Sequence, residues 1–510
     1  MHTQVINLTR FGDLLQTQPV FSGLKACGSR TSLVCLDAFK GAAALLRDVD
    51  DVHPLPGARL LARLGQDWTL AAAELFAWLD SAEAGAPDSV LNLTPTLAGR
   101  LLGRASHGDG VQGFGLDRDG FGQYSTPWAV FLQAASAYRG CSPFNLVDLF
   151  QRVAGLEPGE YRLRAPDEEA MARAAALLAE APGGHVAFQL GASQDYRRWP
   201  VEAFVRAGRV ILSRTGRTPV LLGTAAEGHL ARRFAELADY PCTDLTGRTD
   251  LPTLAAVLSR MEFLLTNDTG TMHLAAGLGV PVCAVFLATA QPFDTGPYLE
   301  GSISLEPDLP CHPCSFGERC PRGLACREAV DGGAVGELLA STMSGERMVP
   351  AGFPARVWTA RRDGRGYMDL VSLSGHGHED RSLWIAIQRD VYRQFLDRSL
   401  DEICSTWPGR DSDFRRSLAA ELERCVLMLT LLEEQGRLLA LRPDSPVKAR
   451  FLANCRNLED IFAGSPALGV LNPMWRYQSR DQAADMPAFL AQCAAYRELL
   501  AVFGRRLALA

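Results

Sequence analysis

The amino-acid sequence predicts an α/β protein: two successive domains of parallel sheet with helices on their faces, followed by a mainly helical C-terminal extension. Three observations carry this. Short apolar runs alternate with helix-like periodicity twice, over residues 1–155 and again over 184–345, which is the pattern of parallel β-α-β architecture. One stretch, residues 263–290 (FLLTNDTGTMHLAAGLGVPVCAVFLATA), is legible as a complete strand-helix-strand unit. Beyond Gly345 the pattern changes to long amphipathic segments with apolar residues at helical spacing.

The central unit is the clearest element. Residues 263–266 form a short apolar strand, Asn267-Asp268-Thr269-Gly270 a polar turn, and residues 271–278 a helix of small side chains. Gly279 and Pro281 end that helix, and residues 280–287 are continuously apolar, as in a strand buried on both faces. Ligands of open parallel sheets bind beyond the carboxyl ends of the strands, where helix N-termini offer N–H groups to anions. Asp268, Thr269, Gly270 and His273 all fall at that point. An acid and a threonine there are also ordinary N-cap chemistry, but His273 one turn further on, and a glycine that admits close backbone approach, make the group a candidate site.

Upstream, residues 5–8 predict the first strand and 14–25 a helix, which places Asp13 at a strand-to-helix turn. It reads either as a first-turn acid facing the helix dipole or as a catalytic carboxylate at the rim of a cleft. Further strands are predicted at 32–36 and 89–93, and helices at 40–46, 71–79 and 97–102. Residues 108–113 (GDGVQG) fit a dinucleotide-binding string, but they follow a helix rather than a strand, so the glycines are read as loop residues and a nicotinamide site is rejected. Residues 156–183 form a connection with one helix at 166–181. The second domain opens with a strand at 185–190, a polar loop at 191–198 and a helix from Trp199. A strand at 219–222, a loop at 223–227 and a helix at 251–259 then lead into the central unit. Successive strand ends carrying polar and glycine residues describe a ligand rim.

Composition narrows the classes of function. Charged residues sum to a net −7 and the isoelectric point is near 5.8, so no basic field invites nucleic acid. The longest uncharged stretch, 274–293, is broken by glycine and proline and belongs to the β-α-β unit, so no membrane span is predicted. The N-terminal residues lack the basic and apolar regions of a signal peptide, and a cytoplasmic protein is expected. Most of the thirteen cysteines stand singly in apolar contexts and read as small buried hydrophobes rather than a disulfide framework.

Several of these residues together resemble glycosyltransferase family 9, the heptosyltransferases. The matching pieces are Phe11-Gly12-Asp13 with Pro19, Gly191-Ala192-Ser193 with Arg197-Arg198-Trp199-Pro200, and Gly223 with Glu227. The most specific is Asn267-Asp268-Thr269-Gly270 with His273, Ala275-Ala276, Leu278-Gly279 and Pro281. The resemblance covers residues 1–340 or so and implies a GT-B fold, two Rossmann-like domains facing across a cleft, with the acceptor held by residues 1–155 and the donor by 184–345. It implies inverting transfer of a heptose from an ADP-activated donor without a metal in the chemistry. On that template Asp13 is the general base. Asp268, Thr269, Gly270 and His273 surround the donor's sugar and diphosphate, Ser193 and Arg197 contact phosphate, Glu227 meets the nucleoside, and Thr249 lies beside the base. Where many members carry lysine, this chain has Arg197, a planar fork in place of a point charge.

Cys311, Cys314, Cys320 and Cys326 lie within sixteen residues, among prolines and glycines. Four such thiols can clamp a structural zinc or iron, with His312 a substitute ligand or, in the preferred reading, a bystander; free loop thiols are the alternative. The cluster is similar to the iron-binding motif of autotransporter heptosyltransferases. Residues 346–510 are expected to form an extension, with a β-hairpin over 357–373 and helices near 383–400, 411–442 and 484–508. Apolar stripes on these helices, such as Leu427, Leu431 and Leu432, are read as packing core, with docking of a protein acceptor or a second subunit as the other use. The resemblance implies a lipopolysaccharide core sugar or a protein side chain as acceptor, and a homo-oligomer is one assembly the extension allows. The competing reading is a catalytically silent nucleotide-sugar-binding or assembly protein of the same fold, and a third is an epimerase.

Overall fold

The computed structural model describes residues 1–82, 87–137, 142–179, 185–346, 349–350, 352–400, 407–408, 411–481 and 485–507. The chain divides into two compact units, one of Met1–Gly120 with Asn145–Ser374, the other of Phe121–Phe144 with Gly375–Ala510.

The first unit holds two sheets. In the first, β1 (His2–Ile6), β2 (Arg30–Leu36), β3 (Asp51–Leu55), β4 (Ser89–Asn92) and β5 (Gln112–Leu116) run parallel in the order β3-β2-β1-β4-β5. Val5, Ile6, Leu33, Val34, Val90 and Leu91 are fully buried, as strands covered on both faces require. The short strand β6 (Gly122–Tyr124) lies in the second unit.

The second sheet contains β7 (His185–Gln189), β8 (Thr218–Leu222), β9 (Thr243–Asp244), β10 (Phe263–Asn267), β11 (Val282–Val285), β12 (Ile303–Glu306), β13 (Arg356–Arg362) and β14 (Met368–Ser372). Their order is β14-β13-β12-β11-β10-β7-β8-β9, parallel from β12 through β9. The hairpin β13-β14 pairs antiparallel onto β12, so the turn chemistry around Asp363 and Gly366 extends this sheet. Strand order reverses between β1 and β4 in the first sheet and between β7 and β10 in the second. Each reversal opens a crevice at the carboxyl ends of its strands, where ligands of such sheets bind.

The connection between the sheets ties both together. Arg164 N donates to Leu45 O (2.8 Å) on one side, and Leu163 N to Gly277 O (2.7 Å) on the other. Its helix spans Glu168–Leu178, capped by the Asp167 carboxylate on Ala170 N; the predicted end at 181 lies outside the described residues.

The second unit is helical: Pro127–Ala137, Asp380–Leu396, Asp413–Leu441, Val447–Gly464, Leu471–Asp481 and Met486–Leu507. Tyr392, Trp475, Tyr496 and Phe503 fill its core, with ring pairs such as Trp475–Tyr496 at 5.1 Å. One expectation needs correction here. Leu432 is buried, but Leu427 and Leu431 are 64% and 39% exposed, because the buried face of Asp413–Leu441 runs through Leu422, Cys425, Leu429, Leu432 and Leu439, to one side of them. Among the described residues no helix is long and apolar enough to cross a membrane.

Candidate functional site

The site is built where the first helix after β1 meets the first helix after β10. The turn after β1 is set by Asn7, whose side-chain oxygen accepts Thr9 N (2.9 Å), and by Thr94, whose hydroxyl accepts Leu8 N (2.8 Å). The helix begins at Phe11, three residues before the predicted start at 14, so Asp13 lies in its first turn, half-buried. The second helix, Gly270–Gly277, starts directly after the Asn267–Thr269 turn and is almost wholly buried.

Two glycines let these helices touch. A Cβ on Gly12 would stand 2.8 Å from His273 Cδ2 and 3.2 Å from Gly270 Cα; one on Gly270 would stand 2.3 Å from the Phe11 ring. Only glycine fits at either position without displacing the partner. His273 is thereby buried against Gly12, and its backbone carbonyl accepts the Tyr161 hydroxyl at 2.9 Å. The Gln16 amide nitrogen lies 3.4 Å from His273 Nε2. Since that nitrogen donates, Nε2 accepts and the ring proton sits on Nδ1. Burial pushes the His273 pKa down to about 4, so the ring is neutral near pH 7. His273 Nδ1 and Gln16 Oε1 are both buried with no hydrogen-bond partner among the described residues, an arrangement a bound ligand satisfies.

Asn267, the last residue of β10, organises the crevice. Its side-chain oxygen accepts Trp199 N (2.8 Å) and its amide donates to Leu190 O and Gly191 O (3.0 Å each), binding the loop after β7 to the end of β10. That loop carries Ser193, exposed, and Arg197, buried on the short turn Asp195–Arg197. Arg197 Nη2 is 3.6 Å from Asp268 Oδ2, an ion pair longer than a hydrogen bond. Arg197 Nε and Nη2 have no hydrogen-bond partner among the described residues. Thr269, the N-cap residue of Gly270–Gly277, turns its hydroxyl to Thr266 (3.1 Å) instead of capping the helix. A buried guanidinium with open donors thus stands beside an uncapped helix N-terminus, a combination suited to an anion.

Glu227 follows β8. Its carboxylate accepts Thr224 N (2.7 Å) and the Thr224 hydroxyl (3.1 Å), which is capping-box chemistry. It also covers the neighbouring loops: a Cβ on Gly191 would fall 1.6 Å from Glu227 Oε1, and one on Gly223 3.0 Å from Oε2. Thr249 is half-buried after β9, beside the N-cap Asp250 of helix Leu251–Leu258. Ser193 and Arg197, Glu227, Thr249 and the Asp268–His273 group therefore follow β7, β8, β9 and β10, four strands in lateral succession. Asp13 comes from the other sheet, through the Gly12–Gly270 contact. Gln16, Tyr161 and the bracing role of Asn267 were not singled out from the sequence: a glutamine or tyrosine in a helical or extended segment carries no local signal, although Asn267 stood within the turn motif.

Cys311, Cys314, Cys320 and Cys326 line one cavity of about 510 Å³ together with Tyr196, Ala288 and Thr289. All four are free thiols; of the remaining cysteines, Cys141 and Cys404 lie outside the described residues. Leu324 N donates to Cys320 Sγ at 3.4 Å, and backbone N–H groups of Leu324 and Arg322 hold that thiol's pKa below its usual range. Burial, then the neighbouring cysteines, raises that of Cys314. His312 is turned away to a buried pairing, Nε2 to Glu306 Oε1 at 3.1 Å, while Glu306 Oε2 accepts the Trp358 indole N–H at 2.8 Å.

Two parallel α/β sheets whose crevices meet at one polar site define a GT-B fold. Residues 145–323 match the family model described as Glycosyltransferase family 9 (heptosyltransferase). It is 32% identical over 139 residues to lipopolysaccharide heptosyltransferase 1 of Pseudomonas aeruginosa, covering 27% of this chain and 38% of that protein. With lipooligosaccharide heptosyltransferase 2 of Haemophilus influenzae it shares 27% identity over 124 residues, 23% of this chain and 35% of the relative. The chain therefore spans under two fifths of the length of either relative. Among solved structures, the E. coli ADP-heptose lps heptosyltransferase II superposes with a TM-score of 0.50 at 16% identity, over 68% of this chain and 99% of that one, which supports the fold.

Proposed function

We propose that this chain is an inverting glycosyltransferase, working in the cytoplasm, that moves a heptose or related sugar from an ADP-activated donor to a hydroxyl of a lipopolysaccharide core sugar or of a protein. The observation that carries the reading is the buried Arg197 guanidinium, with donors open, beside the uncapped N-terminus of Gly270–Gly277 at the reversal of strand order. In this reading the diphosphate lies on Arg197, Ser193 and the backbone of Thr269–Gly270, with Glu227 and Thr249 towards the nucleoside. Asp13 takes the proton of the acceptor hydroxyl as its oxygen bonds to the anomeric carbon. The bond from that carbon to the diphosphate breaks on the opposite face, and Arg197 with the helix N–H groups stabilises the charge gathering on the departing ADP. Asp268 holds Arg197 in place through their ion pair. His273, neutral near pH 7, serves as a hydrogen-bonding neighbour of the donor rather than a cation.

The same reading assigns Cys311, Cys314, Cys320 and Cys326 a structural iron or zinc. Four thiols around one cavity, one of them already receiving backbone N–H groups, fit the donor set such metals take. When bound, the metal would cross-link the loop; the transfer itself needs no metal.

Calorimetric titration with ADP, ADP-heptose, UDP and GDP tests the donor. Selective binding of the adenosine compounds is expected, and a preference for UDP or GDP would sink the heptosyltransferase reading. Asp13→Asn should keep donor affinity within about twofold and lower turnover by at least 10²-fold, the span typical of a general base; unchanged turnover would remove Asp13 from that role. Elemental analysis of the purified protein should find one iron or zinc per chain, lost in Cys314→Ser.

A further inference from the structure

The cysteine segment and the residues just after it are hydrogen-bonded to the loop that carries Arg197 at two places. Arg327, which directly follows Cys326, donates from Nε to the carbonyl of Arg198 at 2.9 Å. The indole N–H of Trp199 donates to Val330 O at 2.9 Å. Tyr196 lines the same cavity as the four cysteines. The two hydrogen bonds fall on the first and second residues after Arg197, and Tyr196 directly precedes it. On its other side the loop is gripped by Asn267, through Trp199 N, Leu190 O and Gly191 O. Trp199 is fully buried and packs on Phe204 at 4.8 Å, so the anchor is rigid. The Arg197 guanidinium makes the long ion pair with Asp268 and has no hydrogen bond among the described residues through Nε or Nη2. Beside that ion pair, its position is set by the backbone around it, and the cysteine segment supplies one of the two supports of that backbone.

We propose that Arg327 is a positioning residue for Arg197 and that the cysteine segment acts as a strut for the phosphate-binding loop. Binding of a nucleoside diphosphate then depends on residues that never touch it. The inference rests on the reading of Arg197 as a diphosphate contact.

The test is calorimetric titration of the full chain with ADP, with thermal unfolding and metal content measured on each sample. Arg327→Ala should weaken ADP binding about tenfold while metal content stays at the wild-type level, and Arg327→Lys, which still offers a donor, should recover most of the loss. Arg197→Ala should weaken binding by more, and adding Arg327→Ala to it should change nothing further, since coupled residues are non-additive. In turnover assays the KM for the donor should rise with the KM for the acceptor unchanged, a split that general destabilisation does not produce. Wild-type ADP affinity in Arg327→Ala, or independent losses from the two arginines, would overturn the strut and leave the nucleotide site standing. ADP binding unaffected by Arg197→Ala would instead remove the diphosphate contact and the inference with it. Should Arg327→Ala fail to fold, Arg327→Met, which keeps the length of the stem and removes the N–H donor, gives the same comparison.

Discussion

Replacing Gly12 by alanine tests whether the helix contact sets the catalytic geometry. The added Cβ would sit 2.8 Å from His273 Cδ2 and 3.2 Å from Gly270 Cα, where carbon atoms rest comfortably at about 3.5–4.0 Å. The shortfall is close to 1 Å, and it must be met by turning the His273 ring or by parting the two helices. Overpacking of this kind costs about 1–3 kcal/mol, offset by the roughly 1 kcal/mol by which alanine exceeds glycine inside a helix. The net loss of stability is therefore about 0–2 kcal/mol, a few degrees at most in Tm for a protein of this size. A displacement of about 1 Å between reacting groups, by contrast, lowers rate on the order of 10²-fold, about 2.7 kcal/mol of barrier. Gly12→Ala should accordingly be a folded protein with turnover down about a hundredfold, read as release of ADP from ADP-heptose in the presence of acceptor, beside a circular-dichroism melt. Turnover within twofold of wild type, with the fold intact, would refute the claim that this contact positions Asp13 against the donor.

Asn267→Ala removes one acceptor and two donated hydrogen bonds from a fully buried position, and should destabilise the protein by about 2–4 kcal/mol in urea denaturation. Asn267→Asp should be at least as harmful, because it sets a carboxylate oxygen against two carbonyls. His273 gives a pH signature. Its folded pKa of about 4 lies below the ordinary 6.5, so the unfolded chain binds the proton first. Stability is full above pH 6.5 and declines as pH falls towards 4, by about 3 kcal/mol. His273→Gln should remove that part of the slope, and an identical pH profile in the two proteins would contradict the burial of a neutral ring.

The central unit was legible in the chain because each of its parts states its own structure. An apolar run, a polar turn, a helix of small residues and a second apolar run became β10, Gly270–Gly277 and β11. β3 was not legible: its sequence DVHPL carries a proline and polar residues, tolerable because it pairs only with β2 at the sheet edge. β5 was hidden by glycines. Gly113 takes φ +78°, and a Cβ there would meet Asn92 O at 2.2 Å, so a residue that reads as loop is required by the approach of β4. The glycine string before it does form a turn after helix Leu97–His107, in keeping with the rejected dinucleotide motif. Within the site, residues sharing a strand-end loop could be grouped from the sequence. The meeting of Gly12 with Gly270 and His273 could not, since it joins positions far apart in the chain through a contact visible only as missing side chains.

The helical unit is made of two pieces, Phe121–Phe144 and Gly375–Ala510, separated by the whole second sheet. In the folded protein Phe131 packs on Tyr392 (5.4 Å), the Trp128 indole donates to Asp397 (2.7 Å), and Arg389 donates to Pro143 O (3.2 Å). On the ribosome the early piece emerges long before these partners exist. At about 5–20 residues per second it waits on the order of tens of seconds, with Trp128, Phe131 and Phe144 uncovered. A chain cut after Ser374 would never cover them. The unit is thus no removable tail: such a truncation should yield a sticky protein that collects on chaperones, whereas excision of both pieces together is the deletion the architecture allows.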